Sequence, residues 1–214
     1  MELLECMLGR RSIRKYNNKD ISDNILHCII EAGLLSPSSR NLHPAELVTV
    51  KDKTVLTQLA RSKTAGSGML KNAKCAIVVI GDKEKSDAWI EDCSLSMIYM
   101  QLRATELGIA NCWVQCRNRI SQQDKNKPLL NYVEDIALNY PTDSTVPSEK
   151  LVAEKIAASA DENKLSSDQF VKQLLGIPNK YGVLSILALG MTDEVLQPHK
   201  LEKADFSKVH KERY

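Results

Sequence analysis

The hydrophobic positions along the chain switch between two spacings, and this switch predicts a mixture of helices and strands. Apolar residues recur at helical spacing over 3–8, 22–33, 54–62, 87–107 and 166–175. Short apolar runs of strand length occupy 47–50, 74–81, 109–115 and 183–190. The helix predicted over 87–107 carries apolar residues on more than one face, so we expect other elements to cover it on several sides.

A polar stretch interrupts this pattern after the third predicted strand. Residues 122–163 include three prolines and show helix-like patches around 148–158. Such a composition disfavours a packed core element. We therefore interpret the chain as a single domain, 1–214, with an excursion at about 122–163 that is a candidate lid or a partly disordered loop.

The composition limits the classes of function. The chain has 214 residues, of which 43% are hydrophobic and 26% charged, as in an ordinary soluble globular protein. The net charge of +2 is too small for a dedicated nucleic-acid binder, and aromatic residues, at 5%, offer few platforms for base stacking. No signal peptide opens the sequence, and no apolar stretch approaches the roughly 18 residues of a transmembrane helix. We expect a cytoplasmic protein without nucleic-acid or membrane partners.

The six cysteines are scattered and include no Cys-x-x-Cys pair. Cys112 and Cys116 are separated by three residues, but no second pair of Cys or His nearby completes a zinc site. We therefore predict reduced thiols, mostly packed as small hydrophobic side chains, and no bound metal.

The most concentrated charge lies near the N-terminus, where Arg10, Arg11, Ser12 and Arg14 fall within five residues. No acidic residue stands between Arg10 and Lys19. Guanidinium groups bind phosphate oxygens two at a time and a serine hydroxyl adds a small donor, so this stretch is a candidate phosphate site. The alternative is a solvated basic turn, because charge clusters are common on protein surfaces.

A second polar segment, 36–44, connects the predicted helix 22–33 to the predicted strand 47–50. It is rich in Ser, Pro and Asn, which disfavour regular structure. Hydroxyl and amide groups held between a helix and a strand can bind a ligand. The alternative is a plain helix-to-strand connector.

Four segments, taken in order, resemble the signatures of the nitroreductase family of flavin enzymes. Arg10–Tyr16 (RRSIRKY) is similar to the family's Arg-x-Ser-x-Arg-x-aromatic opening. Ser36–Pro44 (SPSSRNLHP) is similar to its Pro-Ser-x-x-Asn-x-Gln-Pro-Trp loop, and Ala104–Trp113 (ATELGIANCW) to its Ala-x-x-x-Gly-Leu-Gly-x-x-Trp passage. Leu174–Pro178 (LLGIP) and Gly190 match its Leu-Gly-Ile-Pro motif and its closing glycine.

The resemblance covers 1–118 and 166–214, with two departures from the family pattern. His43 and Ala45 occupy the positions of the family's Gln and Trp, which concern substrate contacts more than the flavin. The excursion is longer than the usual connection, so the family does not tell us what covers the active site here.

The resemblance implies a fold and an assembly. It implies an α+β protein with a three-layer α/β/α arrangement around a central mixed, mainly antiparallel sheet. It also implies a homodimer whose two flavin sites are shared between the subunits, with Pro37, Ser38 and Asn41 forming a wall of the partner's site. The long helix over 87–107 is a candidate for the dimer interface.

The resemblance further implies that the chain binds FMN. Arg10 and Ser12 would bind the phosphate, and Arg14 the ribityl chain or the pyrimidine edge. The full predicted set is Arg10, Arg11, Ser12, Arg14, Pro37, Ser38, Ser39, Asn41, Trp113, Val114, Gln115 and Lys200.

Two members of that set keep alternatives. Trp113 is either a contact of the flavin ring or a core aromatic residue. Lys200 either completes the phosphate site, with Lys203 as the other candidate for that role, or is a plain solvated side chain.

The implied function is that of an FMN-dependent oxidoreductase with ping-pong kinetics. NADH or NADPH would deliver hydride to flavin N5, and an electron-poor acceptor such as a nitroaromatic or a quinone would then be reduced. The cofactor carries this chemistry, so we predict no catalytic residue. No Gly-x-Gly-x-x-Gly turn is present to distinguish NADH from NADPH. The alternative is an FMN-binding sensor or carrier without fast turnover.

Overall fold

The computed structural model describes residues 2–125 and 163–212, apart from the side chain of Lys203. Most of the excursion, including the helix-like patches around 148–158, lies outside the described residues. Within the described ranges the α-helices are Leu3–Gly9 (α1), Asp23–Leu34 (α2), Lys53–Leu59 (α3), Trp89–Glu106 (α4) and Ser167–Leu175 (α5). The strands are Ala45–Val50 (β1), Cys75–Asp82 (β2), Ala110–Gln115 (β3), Ile120–Asp124 (β4), Lys164–Ser166 (β5) and Tyr181–Gly190 (β6).

Every helix and strand that the hydrophobic pattern predicts is present, with small shifts at the ends. Local signals explain several boundaries. The Ser22 side chain accepts a hydrogen bond from the Ile25 N–H and begins α2, and Ser166 forms a capping box with Gln169 at the start of α5. Gly176 ends α5 in the left-handed conformation, at φ 67°, which glycine adopts without a steric penalty.

The central sheet has the strand order β1-β2-β6-β3, and all three neighbouring pairs are antiparallel. A parallel bridge between Ser12 and Asn111 adds the N-terminal segment to the open edge of β3. The predicted mainly antiparallel sheet is therefore confirmed.

Side chains alternate along the strands and fill two cores, one on each face of the sheet. In β2, Ile77 and Val79 pack beneath α2 and α4, whereas Val78 and Ile80 pack beneath α3 and α5. Because helices cover both faces, all residues of β2 and β6 are buried. This arrangement confirms the predicted three-layer α/β/α architecture.

Strands β4 and β5 were not predicted, and they join the two ends of the excursion. They pair antiparallel, and the Lys125 N–H donates to the Asn163 carbonyl at 2.7 Å. The segment escaped prediction because its buried positions are polar: the Ser121 hydroxyl donates to the Leu165 carbonyl at 2.8 Å. Residues 122–124, which we assigned to the excursion, thus belong to a strand.

Of the helices in the described ranges, none has the length and hydropathy that crossing a membrane would require.

Candidate functional site

Residues 10–14 lie along the open edge of β3, at the end where that strand begins; we call this region the basic corner. Arg10 follows the last residue of α1, and the Ile13 N–H donates to the Asn111 carbonyl at 3.0 Å. Arg14 Nη1 donates to the Ser12 carbonyl at 3.2 Å, and both side chains are exposed. Backbone pairing with β3 therefore fixes the position of these side chains.

Tyr16 and Gly190 hold this segment against the sheet. The Tyr16 hydroxyl donates to the Ile13 carbonyl at 2.9 Å, and burial raises the pKa of this hydroxyl, which keeps it protonated. The ring lies so close to Gly190 that a Cβ there would stand 2.5 Å from Tyr16 Cδ1. The closing glycine and the aromatic residue of the opening signature thus form one contact.

Several cationic side chains in and near the basic corner act electrostatically on the buried Cys112 thiol. Burial raises the pKa of this thiol, and positive charge from Arg14, Lys63 and Arg10, together with a hydrogen bond to Ser12, opposes the rise. Arg10, Ser12 and Arg14 of the predicted set thus all act on this one thiol, and so does Lys63. No sequence signal marked Lys63, because it lies between α3 and β2 and reaches the cluster only through the tertiary fold.

The three predicted residues of β3 face different surroundings. Alternate residues of an edge strand direct their backbone groups to the same side. The Asn111 carbonyl points to the open edge, so the backbone groups of Trp113 and Gln115 point there too, whereas those of Val114 point to β6. The Val114 side chain is buried in the core.

The side chains of Trp113 and Gln115 are engaged with each other. The Trp113 indole N–H donates to Gln115 Oε1 at 2.8 Å, and Gln115 Nε2 donates to the Arg117 carbonyl at 3.3 Å. Trp113 also packs against the core beneath α2 and α4, as in the alternative role considered for it. Trp113 and Gln115 therefore direct their backbone groups to the open edge.

The C-terminal segment returns to the basic corner. Arg11 Nη1 donates to the Gln197 carbonyl, and the His199 N–H donates to the Leu8 carbonyl at 2.8 Å. The exposed residue Lys200 follows directly. Lys203 ends the short 3₁₀ helix Leu201–Lys203, and its side chain lies outside the described part of the chain.

The second candidate region, residues 36–44, is the loop corner, and side chains hold it in place. The Ser39 N–H donates to Oδ1 of the buried Asp92 at 2.7 Å, and the His43 N–H donates to Ser38 Oγ at 2.9 Å. His43 Nε2 lies 2.7 Å from Asn41 Oδ1. Pro37 is exposed at the start of the loop.

The backbone of the loop corner is strained. Arg40, Asn41 and His43 have φ values of 52°, 57° and 44°, in the left-handed region that residues with a Cβ seldom adopt. Contacts from the segment between β2 and α4 hold the loop in this conformation: Arg40 pairs with Asp87, and Lys85 Nζ donates to the His43 carbonyl at 3.1 Å. None of these supporting residues was predicted, because nothing in their local sequence distinguishes them from solvated charges.

Within the chain the two corners lie at opposite ends and on opposite edges of the sheet. The loop corner precedes β1 and contacts Asp92, near the start of α4, whereas Cys6 of α1 contacts the Leu102 carbonyl, near its end. The helical rise between Asp92 and Leu102 is about 15 Å, and the two edge strands are about 14 Å apart. The two predicted halves of the site are therefore roughly 20 Å apart within the chain.

A protein-family model described as "Putative TM nitroreductase" matches residues 2–173 of this chain. The chain belongs to the nitroreductase family. The resemblance stated from its four sequence segments is thereby confirmed.

Relatives of this nitroreductase-family chain agree with that placement. A protein of Archaeoglobus fulgidus named "Putative NADH dehydrogenase/NAD(P)H nitroreductase" is 35% identical over 152 residues, which are 66% of this chain and 87% of the relative. The solved structure of an "FMN-dependent Nitroreductase" from Clostridium difficile R20291 matches with a TM-score of 0.76 and 33% identity over 99% of both chains.

A more distant nitroreductase structure shares the fold. A protein from Desulfovibrio desulfuricans, solved in complex with FMN, has a TM-score of 0.62 at 17% identity and covers 98% of both chains. The three-layer fold inferred for this chain is therefore that of solved nitroreductases.

Proposed function

We propose that this nitroreductase-family chain is an FMN-dependent oxidoreductase that takes reducing equivalents from NADH or NADPH and reduces an electron-poor small molecule, such as a nitroaromatic or a quinone. One observation carries the proposal: Ser12 bridges to Asn111 at an open strand edge, and positive charge from Arg14, Lys63 and Arg10 reaches the neighbouring Cys112. A dianionic phosphate needs such a set of donors, and a flat heterocycle can use the backbone donors of the edge.

Two groups of the basic corner, and a third group from the C-terminal segment, are suited to the FMN phosphate. Arg10 and the Ser12 hydroxyl supply charge-assisted hydrogen bonds. Lys200 supplies a further cation from the C-terminal segment, which Arg11 fixes at the corner through the Gln197 carbonyl. Arg11 thus acts on the phosphate site by holding the tail.

The remaining residues of this corner are suited to the ribityl chain and the ring. Arg14 and Lys63 place positive charge beside the pyrimidine edge, which favours the more negative redox state of the flavin. Trp113 and Gln115 offer backbone N–H groups, and Val114 anchors the strand in the core.

FMN, when bound, supplies the capacity to accept a hydride at N5 from NADH or NADPH and to pass it to the acceptor in a second half-reaction. The residues of the basic corner would orient this cofactor. We assign no acid or base residue, because the proposed hydride transfers require none.

We further propose a homodimer in which each flavin lies between the basic corner of one subunit and the loop corner of the other. Roughly 20 Å separate the two corners within a subunit. A second subunit related by a two-fold axis can bring its loop corner to the basic corner of the first. Pro37, Ser38, Ser39 and Asn41 would then complete the partner's site.

The distribution of exposed apolar side chains supports this assembly. Leu95 and Tyr99 form an outward-facing stripe on α4, and Leu3, Leu4 and Met7 are exposed on α1, which packs against it. Exposed apolar side chains on two packed helices are typical of a surface that another chain covers. Of the six cysteines, none is in a disulfide and five are buried, which supports the proposal of a reducing, cytoplasmic location.

The function is tested with the purified protein. We expect it to carry, or to acquire from added FMN, the visible absorption of oxidised flavin, and we expect NADH or NADPH to bleach that absorption under anaerobic conditions in stopped flow. A protein that remains colourless after FMN is added would contradict cofactor binding. A bound flavin that neither nucleotide reduces would instead favour the sensor or carrier alternative.

The shared site is tested by complementation. One chain carries Arg10→Ala and Arg14→Ala, and a second carries Ser38→Ala and Asn41→Ala; each alone should retain little flavin. In a mixed dimer with shared sites, one site collects all four substitutions and the other is intact, so co-refolded mixtures should recover flavin. An absence of recovery in verified mixed dimers would mean that each site is built within one subunit.

A further inference from the structure

His43 contacts two of the loop side chains that are proposed to reach the flavin, Ser38 and Asn41. Its backbone N–H donates to Ser38 Oγ at 2.9 Å, and its ring Nε2 lies 2.7 Å from Asn41 Oδ1. His43 also occupies the position where the nitroreductase signature has glutamine. This residue is therefore a feature of this chain that adjoins the proposed site.

The ring contact determines which end of the Asn41 amide is available. A carboxamide oxygen only accepts hydrogen bonds, so the contact requires a proton on His43 Nε2. With Oδ1 occupied, the Asn41 Nδ2 group points away from the ring, and in the described part of the chain it has no acceptor. The opposite tautomer, with the proton on Nδ1, would turn the amide over and leave Oδ1 available instead.

The backbone of the loop does not depend on this ring contact. Asp92 binds the Ser39 N–H, Asp87 pairs with Arg40, and Lys85 donates to the His43 carbonyl. These three contacts use backbone atoms or other side chains. Among the residues that the structure describes, the imidazole thus has one polar interaction, the one that orients Asn41.

We propose that His43 is a positioning residue whose Nε2–H holds Asn41 Oδ1, so that the Asn41 amide offers Nδ2–H as a donor to an acceptor atom of the partner's flavin, a carbonyl oxygen or a ring nitrogen. The proposal rests on the FMN-dependent function proposed above. Flavin carries its acceptors along the pyrimidine edge and at N5, and a fixed donor there distinguishes it from a ligand without acceptors.

A double-mutant cycle tests whether His43 acts through Asn41. His43→Phe keeps a planar ring of similar shape and removes the donor, while His43→Gln restores an amide donor. We expect His43→Phe to raise the FMN dissociation constant about tenfold in the wild-type background and less than twofold in an Asn41→Ala background. We expect His43→Gln to stay within about threefold of wild type.

Two other results of the cycle would overturn the proposal. An equal loss from His43→Phe in both backgrounds would mean that His43 acts independently of Asn41, through the loop conformation or a direct contact. A loss in His43→Gln as large as in His43→Phe would mean that the donor is not what matters. Arg40→Ala, in the same loop, removes the exposed ion pair with Asp87 and measures how much loosening alone changes FMN binding. A loss as large as in His43→Phe would mean that loosening, and not the lost donor, explains the effect of His43→Phe.

The tautomer of His43 tests the pair without any flavin. In the flavin-free protein, side-chain ¹⁵N spectra should show neutral His43 as the Nε2–H form, and Asn41→Ala should shift the population towards Nδ1–H. A wild-type protein with mainly Nδ1–H would overturn the proposal even if FMN binds. A protein that has the Nε2–H tautomer but binds no FMN would refute the proposed function, leaving the His43–Asn41 pair as a loop contact only.

Discussion

The basic corner and the loop corner are both polar, yet different forces hold them. Backbone pairing with β3 and one aromatic–glycine contact fix the basic corner, and the Arg14 side chain stays exposed. Side chains from the 82–92 segment fix the loop corner, and they hold three residues in the left-handed region. Binding groups are thus separate from structural groups in the first corner and mixed in the second.

This difference has a consequence for substitutions. In the basic corner, a change to a binding side chain should lower flavin affinity and leave folding intact. In the loop corner, a change to a supporting side chain should alter the conformation of the loop. The affinity for FMN should fall as a consequence.

Gly190→Ala should have the largest effect on stability and FMN binding, because the new methyl group would overlap the Tyr16 ring at 2.5 Å. Displacing Tyr16 removes its bond to the Ile13 carbonyl and shifts Ser12 and Arg14 with it. We expect a loss of about 1–3 kcal/mol in the free energy of unfolding, measured by denaturant titration, and the loss of most bound FMN.

Two variants control this experiment. Gly9→Ala adds the same methyl group where no atom lies within 4 Å, and it should be nearly neutral. Tyr16→Leu in combination with Gly190→Ala should recover part of the stability, because a smaller side chain makes room. A Gly190→Ala protein as stable as wild type would mean that the ring contact does not hold the corner.

Arg14→Ala should have the next largest effect, and Lys15→Ala is its matched control. A hydrogen bond to a charged group contributes about 1.5–3 kcal/mol, so the FMN dissociation constant should rise by roughly one to two orders of magnitude. Lys15 pairs with Glu194 at 3.5 Å on the surface, and its loss should change binding by less than about 1 kcal/mol. Fluorescence titration measures both, and equal dissociation constants would remove Arg14 from the site.

The contrast also explains what the sequence could predict. The grouping of arginine and serine in the basic corner was predictable, because these residues are close in the sequence, and strand β3 was predictable from the hydrophobic pattern. Lys63, Asp92 and the polar strand β4 were not. Their roles depend on contacts between segments far apart in the chain, such as Gln122 Nε2 donating to the Lys63 carbonyl at 2.9 Å. The roughly 20 Å between the corners was likewise invisible before the sheet order was known.

Asp92→Ala should weaken the loop corner by removing the acceptor of the Ser39 N–H. A buried donor left without a partner costs about 1–3 kcal/mol, and we expect FMN binding to fall several-fold as the loop loses its conformation. Asp92→Asn keeps an acceptor oxygen and should be milder. Asp87→Ala removes only an exposed partner of Arg40 and should change stability by less than about 1 kcal/mol. Equal effects of Asp92→Ala and Asp87→Ala would contradict the role of Asp92 as the anchor.

The smallest effect should be a loss of hydrogen-exchange protection in the loop corner at acidic pH, which the basic corner should not show. Asp82 accepts from Lys180 Nζ at 2.8 Å and from the N–H groups of Glu84 and Lys85, and these hydrogen bonds hold the pKa of Asp82 below its ordinary value of 3.8. The Asp82 N–H in turn donates to the Pro44 carbonyl at the end of the loop. The basic corner is held by backbone and phenol groups that do not titrate in this range.

The sign follows from linkage. A carboxyl whose pKa is lower in the folded state stabilises it above the unfolded pKa, and this contribution disappears as the pH falls through the folded pKa. Hydrogen exchange, corrected for the intrinsic rate, should therefore show the Ser39 and His43 N–H groups losing protection below the ordinary Asp82 value, while the Ile13 N–H stays protected. Lys180→Ala removes the hydrogen bond that contributes most to the lowered pKa of Asp82. The loss of protection should therefore begin at a higher pH. If the two corners lost protection together, or if Lys180→Ala left the midpoint unchanged, Asp82 would not be the group through which acid reaches the loop corner.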